Sequence, residues 1–596
     1  MSEAAIKMIF KPFDEGRAMT VLNGRPVCDL TSDGDMNIVT LNNLLCNFAY
    51  DKHNMAHIRY CLATGVLIPE QMYGDDIQKI NIALTEVGII DAKCNYGECN
   101  ATQKFIDDFK GILRLSSEPK FLDLKWTDGR PLRFMFQYEF SSHLIPNGQT
   151  INQFIANELA YIAAHSTVIR NSANYIVFSD VVEGMIEPMV SDVIPNITLE
   201  YPGYDDKLEV LQVLHDRYPN ARYEEGLDDN QVANLSSNSP NIGLEGLFWG
   251  SDRSGSFITV AQLIEQKIKD VAAISEGTLI HLDIERVKDV ELVGATIEVP
   301  KNFLMDCAKG LRSKNKLTPM NILLLGAPST GKTDLAMMTA SLANIPAYGL
   351  SSPKNSFVGE TEKRSKLQMN ILKSMSPNLG FIDEITEAYS NSMERSGRNF
   401  DSGASAAVTA ALLESLSDKS REGNSILIAT SNRGWAIGGA MLSRFTPVPM
   451  LMPVETDYHM IIQSIVKNIS SGEFLTDISD ERVLEAAKIF YTKDLMPRNI
   501  RNALKHSMSI HKALTPEEIL WAANDAVPMD FISRCSSIYS DYYALRLCFS
   551  KSLLPWNGNP DFPFPLYIKM ILDDNGEIDA QKLNEEMDKL RPYVNV

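Results

Sequence analysis

The chain is 596 residues long, and at the ~150 residues of a typical domain it holds roughly four folding units. Hydrophobic residues make up 44% and charged residues 22%, which excludes wholesale disorder; the net charge of −20 repels a phosphate backbone, so nucleic acid is not the expected partner. No window approaches the ~20 continuous apolar residues that span a bilayer, and Met1-Ser2-Glu3 does not open a basic-then-apolar leader, so the expectation is a cytoplasmic chain with no membrane partner.

In chain order, residues 1–102 mix short apolar runs with polar breaks. Helical spacing over 41–67 and 76–90 predicts a mainly helical N-terminal region, which could recognise a client. The close pair Cys94 and Cys99 has no second Cys/His pair beside it, so loop thiols are favoured over a zinc site. Residues 103–277 have an α/β rhythm: strands at 131–138, 175–178 and 197–201, a long amphipathic stretch at 151–169, and helices at 205–218 and 260–273. Over 278–453, apolar runs at 321–325, 379–382 and 425–429 predict central strands with crossover helices. That is a doubly wound parallel α/β sheet, which binds ligands at the carboxyl ends of its strands. Residues 454–530 read as a helical lid, and 531–596 as a C-terminal extension with a proline-rich surface crossing at 555–565 and a last helix at 579–590.

Between the apolar strand 321–325 and the helix that follows lies Gly326-Ala327-Pro328-Ser329-Thr330-Gly331-Lys332-Thr333, the complete G-x-x-x-x-G-K-[ST] pattern, running on into Asp334. Its glycines let backbone amides wrap phosphates, Lys332 reaches the β and γ oxygens, and the Thr333 hydroxyl can sit on Mg²⁺; ATP and Mg²⁺ are the expected ligands. The strand 379–382 delivers Asp383, placed for Mg²⁺, and Glu384, placed to deprotonate the attacking water. The next strand ends at Thr430-Ser431-Asn432, where the Asn432 amide could hold the same water.

These three segments together resemble the AAA family of P-loop ATPases, over roughly 285–508. The resemblance implies ATP hydrolysis by a homo-oligomeric ring, in this family usually a hexamer. It implies a pore loop at Phe357-Val358-Gly359, whose aromatic face grips a passing polypeptide, although packing of Phe357 between helix and loop is the plainer alternative. It implies an arginine finger at Arg444, where the family's Arg-Pro-Gly-Arg spacing is shortened and a structural ion pair stays open. Arg498 matches a second sensor arginine of the wider group, and Leu292-Val293-Gly294 looks like the adenine-side turn. Residues 103–277 share the order of these features without the lysine loop or the Asp-Glu strand end, so they are read as a degenerate AAA-like module, with an unrelated α/β domain as the alternative. A silent module joined by a helix over 264–279 to one active module resembles the AAA proteins of plastids and cyanobacteria, as does Asp401-Ser402-Gly403-Ala404; Ala406-Ala407 departs from that pattern. The expected function is an ATP-driven ring remodeller of an unknown protein client. The alternatives are a nucleotide-gated scaffold and a DNA-associated loader.

Overall fold

A computed structural model describes residues 2–25, 29–32, 37–61, 65–90, 101–139, 141, 157, 160–161, 167–180, 194–275, 278–284, 287, 291–350, 367–388, 409–410, 412–470, 477–559 and 561–594. The chain divides into two compact units, Met1–Gln266 and Lys267–Val596.

The first unit opens with α1 (Ser2–Asp14), β1 (Met19–Gly24), the hairpin β2 (Leu30–Ser32) and β3 (Ile38–Thr40), α2 (Leu41–His53), β4 (Met55–Cys61) and β5 (Gly65–Leu67). Then come β6 (Arg133–Glu139), β7 (Tyr175–Ser179), β8 (Asn196–Leu199), α3 (Tyr204–Arg217), β9 (Arg222–Tyr223), α4 (Asn241–Ser254), β10 (Phe257–Ile258) and α5 (Val260–Ser275), within which the unit ends. Six strands form one sheet in the order β5-β4-β6-β7-β1-β8. All neighbours are parallel except the edge pair β4–β5. Parallel strands are covered on both faces, and β6 and β7 are accordingly buried almost throughout, without alternation.

This sheet corrects two expectations. Helix does not continue over 41–67: Asn54 takes a left-handed conformation, φ 55°, and caps α2, after which Met55–Cys61 runs as a strand. Nor does a boundary at 102/103 separate two folding units, because β1, β4 and β5 share their sheet with β6, β7 and β8. β1 and β4 carry Thr20, Asn23, His57 and Arg59 among their apolar residues, so neither reads as the continuous apolar run that marks a buried strand. The amphipathic stretch expected over 151–169 lies almost wholly outside the described residues.

The second unit contains β11 (Leu279–Leu282), α6 (Ala295–Arg312), β12 (Asn321–Leu325), α7 (Lys332–Ala343), β13 (Ala347–Leu350), β14 (Asn378–Ile382), β15 (Ser425–Ser431) and β16 (Thr446–Pro449). The helix expected over 264–279 stops at Ser275, and β11 begins four residues later as an antiparallel edge strand on β13. The sheet order is β11-β13-β14-β15-β12-β16. It matches the first unit position for position: an antiparallel edge, then five parallel strands with the first strand of the set next to the last. β7 occupies the place of β15, and β8 that of β16.

Four helices come next in the chain, α8 (Tyr458–Ile469), α9 (Glu481–Thr492), α10 (Pro497–His511) and α11 (Pro516–Asp525), packed around Ile462, Val483, Phe490, Ile500 and Leu504. A last group, α12 (Phe531–Leu547) and α13 (Ala580–Leu590), builds a separate core with Leu451 and Val454, which follow β16. Trp556 and Phe562 are buried in that core, which corrects the expected surface crossing at 555–565: the prolines turn the chain while its aromatic residues point inward.

Candidate nucleotide site

The loop between β12 and α7 is shaped by its glycines. At Gly326 φ is +151°, and an added Cβ would lie 1.9 Å from the carbonyl oxygen of Met450, so only glycine lets the loop leave the sheet against the end of β16. Ser329 and Gly331 are also left-handed, φ 66° and 85°, and Gly331 caps the amino end of α7. Lys332, the first residue of that helix, is buried. Its Nζ donates to Gly326 O at 2.9 Å, Ala327 O at 2.6 Å and Asn432 Oδ1 at 2.7 Å. Burial draws its ammonium down to about 8, against the opposing charges of Glu384, Asp541 and Asp383.

The end of β14 meets the end of β15. Thr430 Oγ1 donates to Asp383 Oδ1 at 2.8 Å and accepts from Glu384 N at 3.0 Å. Glu384 itself is left-handed, φ 46°, a conformation that costs a non-glycine residue about 1 kcal/mol or more. Its carboxylate accepts from the Asn432 side-chain amide and, at 3.2 Å, from Asn432 N. Lys332, Asn432 and Glu384 thus form one continuous hydrogen-bonded chain across three loop ends. An ammonium, a helix amino terminus and turned loop amides fit a polyphosphate anion, and the Thr333 hydroxyl and Asp383 carboxylate are the hard oxygen donors that Mg²⁺ takes.

The other expected residues fall in different places. Gly294, φ +128°, lies against Asp457, just ahead of α8, while Leu292 and Ile297 reach Gly331. The turn 292–294 therefore sits where the sheet meets the group of helices α8–α11, with Leu292 in the core of the sheet and Val293 in that of the helices. Arg498 is exposed in the first turn of α10, and its charge is felt at Lys332, where it disfavours protonation. Arg444 is not brought to this loop. Its Nε donates to Ser417 Oγ at 2.8 Å and its carbonyl accepts from Asn321 Nδ2 at 3.1 Å, at the opposite end of β12. Phe357, Val358, Gly359 and the 401–404 segment lie outside the described residues, as do Cys94 and Cys99.

The first unit carries a different device at the corresponding strand end. Gly24 ends β1 with φ +91°, and an added Cβ would lie 2.3 Å from Leu199 O at the end of β8. The next residue, Arg25, enters a buried ion pair, its Nε 2.7 Å from Asp29 Oδ2. Asp29 Oδ1 accepts from the amides of Asn241 and Ile242, at 2.7 and 3.1 Å, so a carboxylate of the chain itself occupies the amino end of α4.

Two site residues carry no sequence motif, Ser540 and Asp541 on α12. Asp541 is fully buried and accepts from Ala327 N at 3.2 Å, Met452 N at 3.0 Å and the Tyr567 hydroxyl at 2.8 Å. Only the burial of an acid inside an otherwise apolar helix face could have signalled it.

Residues 322–450 match the model of the ATPase family associated with various cellular activities (AAA). Similar proteins include the ATP-dependent zinc metalloprotease FtsH of Slackia heliotrinireducens, 30% identical over 32% of this chain and 24% of that protein. The uncharacterized AAA domain-containing protein ycf46 of Gracilaria tenuistipitata var. liui is 23% identical over 40% of this chain and 49% of that protein. The chain thus spans between about a quarter and a half of these two relatives. Among solved structures, the AAA domain of FIGL-1 aligns over 44% of this chain and 91% of its own, at 18% identity and a TM-score of 0.35. Among the described residues no helix is long and apolar enough to cross a membrane, and no three or more of His, Cys, Asp and Glu come together as a metal-binding cluster.

Proposed function

We propose that this chain, which carries an AAA module and resembles the plastid AAA proteins, binds ATP with Mg²⁺ and hydrolyses it to drive a ring of identical subunits against a protein client. The observation that carries the reading is the chain Lys332–Asn432–Glu384 at the carboxyl ends of adjacent strands. On binding, Lys332 exchanges its contacts with the Gly326 and Ala327 carbonyls for the β and γ oxygens of ATP, and the loop amides from Gly326 to Thr333 wrap the phosphates. Asp334 follows in the first turn of α7. Thr333 and Asp383 hold Mg²⁺, which screens the charge of the phosphates.

Glu384 is the base that takes the proton of the attacking water, and Asn432 orients that carboxylate while touching Lys332 at its other end. Arg498 adds positive charge from the lid. The adenine lies by Gly294, at the seam between lid and sheet. Arg444, exposed and at the other end of β12 from its own loop, would exchange its bonds to Ser417 and Ala440 for the site of the next subunit in a ring of six. The Phe357-Val358-Gly359 loop is the element that meets the client. Cys46, Cys61, Cys307, Cys535 and Cys548 are free thiols, in keeping with work in a reducing compartment such as the cytoplasm.

Phosphate release and light scattering test this. Glu384→Gln should keep ATP binding and lower turnover by roughly 100-fold or more, since the amide keeps the shape but cannot accept the proton. Rings should accumulate with ATP. Lys332→Ala should lose nucleotide affinity; undiminished turnover in Lys332→Ala would remove the site from consideration. A ring indifferent to nucleotide, with no wild-type turnover, would favour a scaffold.

A further inference from the structure

We propose that Ser540 and Asp541, in the C-terminal extension, are positioning residues of the ATP site: they fasten the nucleotide loop to the ends of three neighbouring strands and thereby set the affinity for ATP. The second clause rests on the reading of this site as an ATPase; the first does not.

The two residues sit in the interior of the 17-residue helix α12, where rotation about the backbone is least available. Asp541 Oδ1 takes the amide of Ala327, the second residue of the loop, and Oδ2 takes the amide of Met452, three residues past β16. Ser540 Oγ donates to the carbonyl of Asn432 at 2.7 Å. β15, β12 and β16 are adjacent in the sheet, so one turn of helix spans the exits of all three. The approach is close: an added Cβ at Gly434 would lie 2.8 Å from Tyr543 Cδ1, and Trp435 packs edge-on against Tyr539 and Tyr543.

The rest of this seam is apolar, built from Leu451, Val454, Tyr539, Tyr542 and Leu545, and would hold the extension in place without a carboxylate. Burying an acid is costly unless hydrogen bonds meet it, and Asp541 has three. Two of these end on backbone amides at the loop's root and at the β16 exit. Because a loop already held in its binding conformation loses less freedom when the anion enters, a rigid anchor at the root of the loop favours binding of ATP.

The test uses the full chain. Asp541→Asn keeps the volume but turns an amide donor toward one of the two backbone donors, and Ser540→Ala removes only the bond to Asn432. Amide hydrogen exchange without nucleotide should quicken roughly tenfold in Asp541→Asn at 326–331 and 451–453, as expected for losing a charge-assisted hydrogen bond. The KM for ATP should rise by about the same factor with kcat little changed, and Ser540→Ala should show a smaller shift of the same kind, about threefold. Asp541→Glu should recover part of the affinity. Wild-type exchange at these segments in both variants, or acceleration spread evenly over the second unit with unchanged KM, would overturn the proposal. If Asp541→Asn does not fold, Ser540→Ala decides by the same two readouts. If the wild-type chain binds no ATP, the exchange readout still decides the fastening, and it is the ATPase reading that fails.

Discussion

His57 and Asp541 are both fully enclosed, and burial acts on them with opposite electrical sense. The His57 ring, bonded to Gln137 Oε1 at 2.7 Å, is driven by desolvation down to about 4. Between that value and the ordinary 6.5 the unfolded chain binds the proton and the folded chain does not, so this group adds stability as pH rises through the window. Asp541 is raised by desolvation from 3.8 to about 6, despite its three hydrogen bonds and the nearby charge of Lys332. Here the folded chain holds the proton longer, so stability falls as pH rises from 3.8 to about 6. At about 1.4 kcal/mol per pKa unit, the ceiling is about 3.5 kcal/mol for His57 and about 3 kcal/mol for Asp541. Urea unfolding across pH 4–7 should therefore show a slope in the second unit that Asp541→Asn flattens, and a slope of opposite sign in the first unit that His57→Gln flattens. Equal slopes in variants and wild type would contradict both assignments.

At the scale of elements, the two sheets share the way the strand beside their parallel edge ends. Gly24, the last residue of β1, and Gly326, the first after β12, both have positive φ, and both press on a backbone carbonyl where the neighbouring strand ends. Gly24→Ala and Gly326→Ala should each destabilise their own unit by roughly 3 kcal/mol or more, since a left-handed penalty adds to a clash with backbone that has no rotamer to yield. Thermal melting reads the loss. Nucleotide binding separates the two, because Gly326→Ala should abolish it and Gly24→Ala should leave the second unit's loop intact. This pairing was half legible. The lysine loop announces itself because phosphate binding requires particular residues at fixed spacing, whereas Gly24 stands in an unremarkable Leu22-Asn23-Gly24-Arg25 segment.

At the scale of the whole molecule, one chain carries two sheets of the same order but one phosphate loop. In the first unit Arg25 is committed to Asp29, and Asp29 takes the amides of α4 that an anion would otherwise meet. Calorimetric titration should therefore give one ATP per chain, and Lys332→Ala should lose it entirely. A second, lysine-independent site would refute the silence of the first unit. Arg25→Ala should instead destabilise the first unit by about 3–5 kcal/mol, because it leaves a buried carboxylate without its partner.

The sequence by itself marked the candidate site of the second unit: the loop 326–333, the Asp383-Glu384 strand end and Asn432 are local patterns, each set by residues within a few positions of one another. It also indicated an α/β module ahead of it, but placed the beginning near residue 103 because the polar residues Thr20, Asn23, His57 and Arg59 interrupt the apolar pattern of β1 and β4. Tertiary structure alone decided that these strands enter the sheet and that Trp556 and Phe562 face a core. It alone joined Asp541 to Ala327 across 214 positions of chain. Such contacts are made by packing between distant elements, and a single buried acid leaves no repeating mark in the sequence around it.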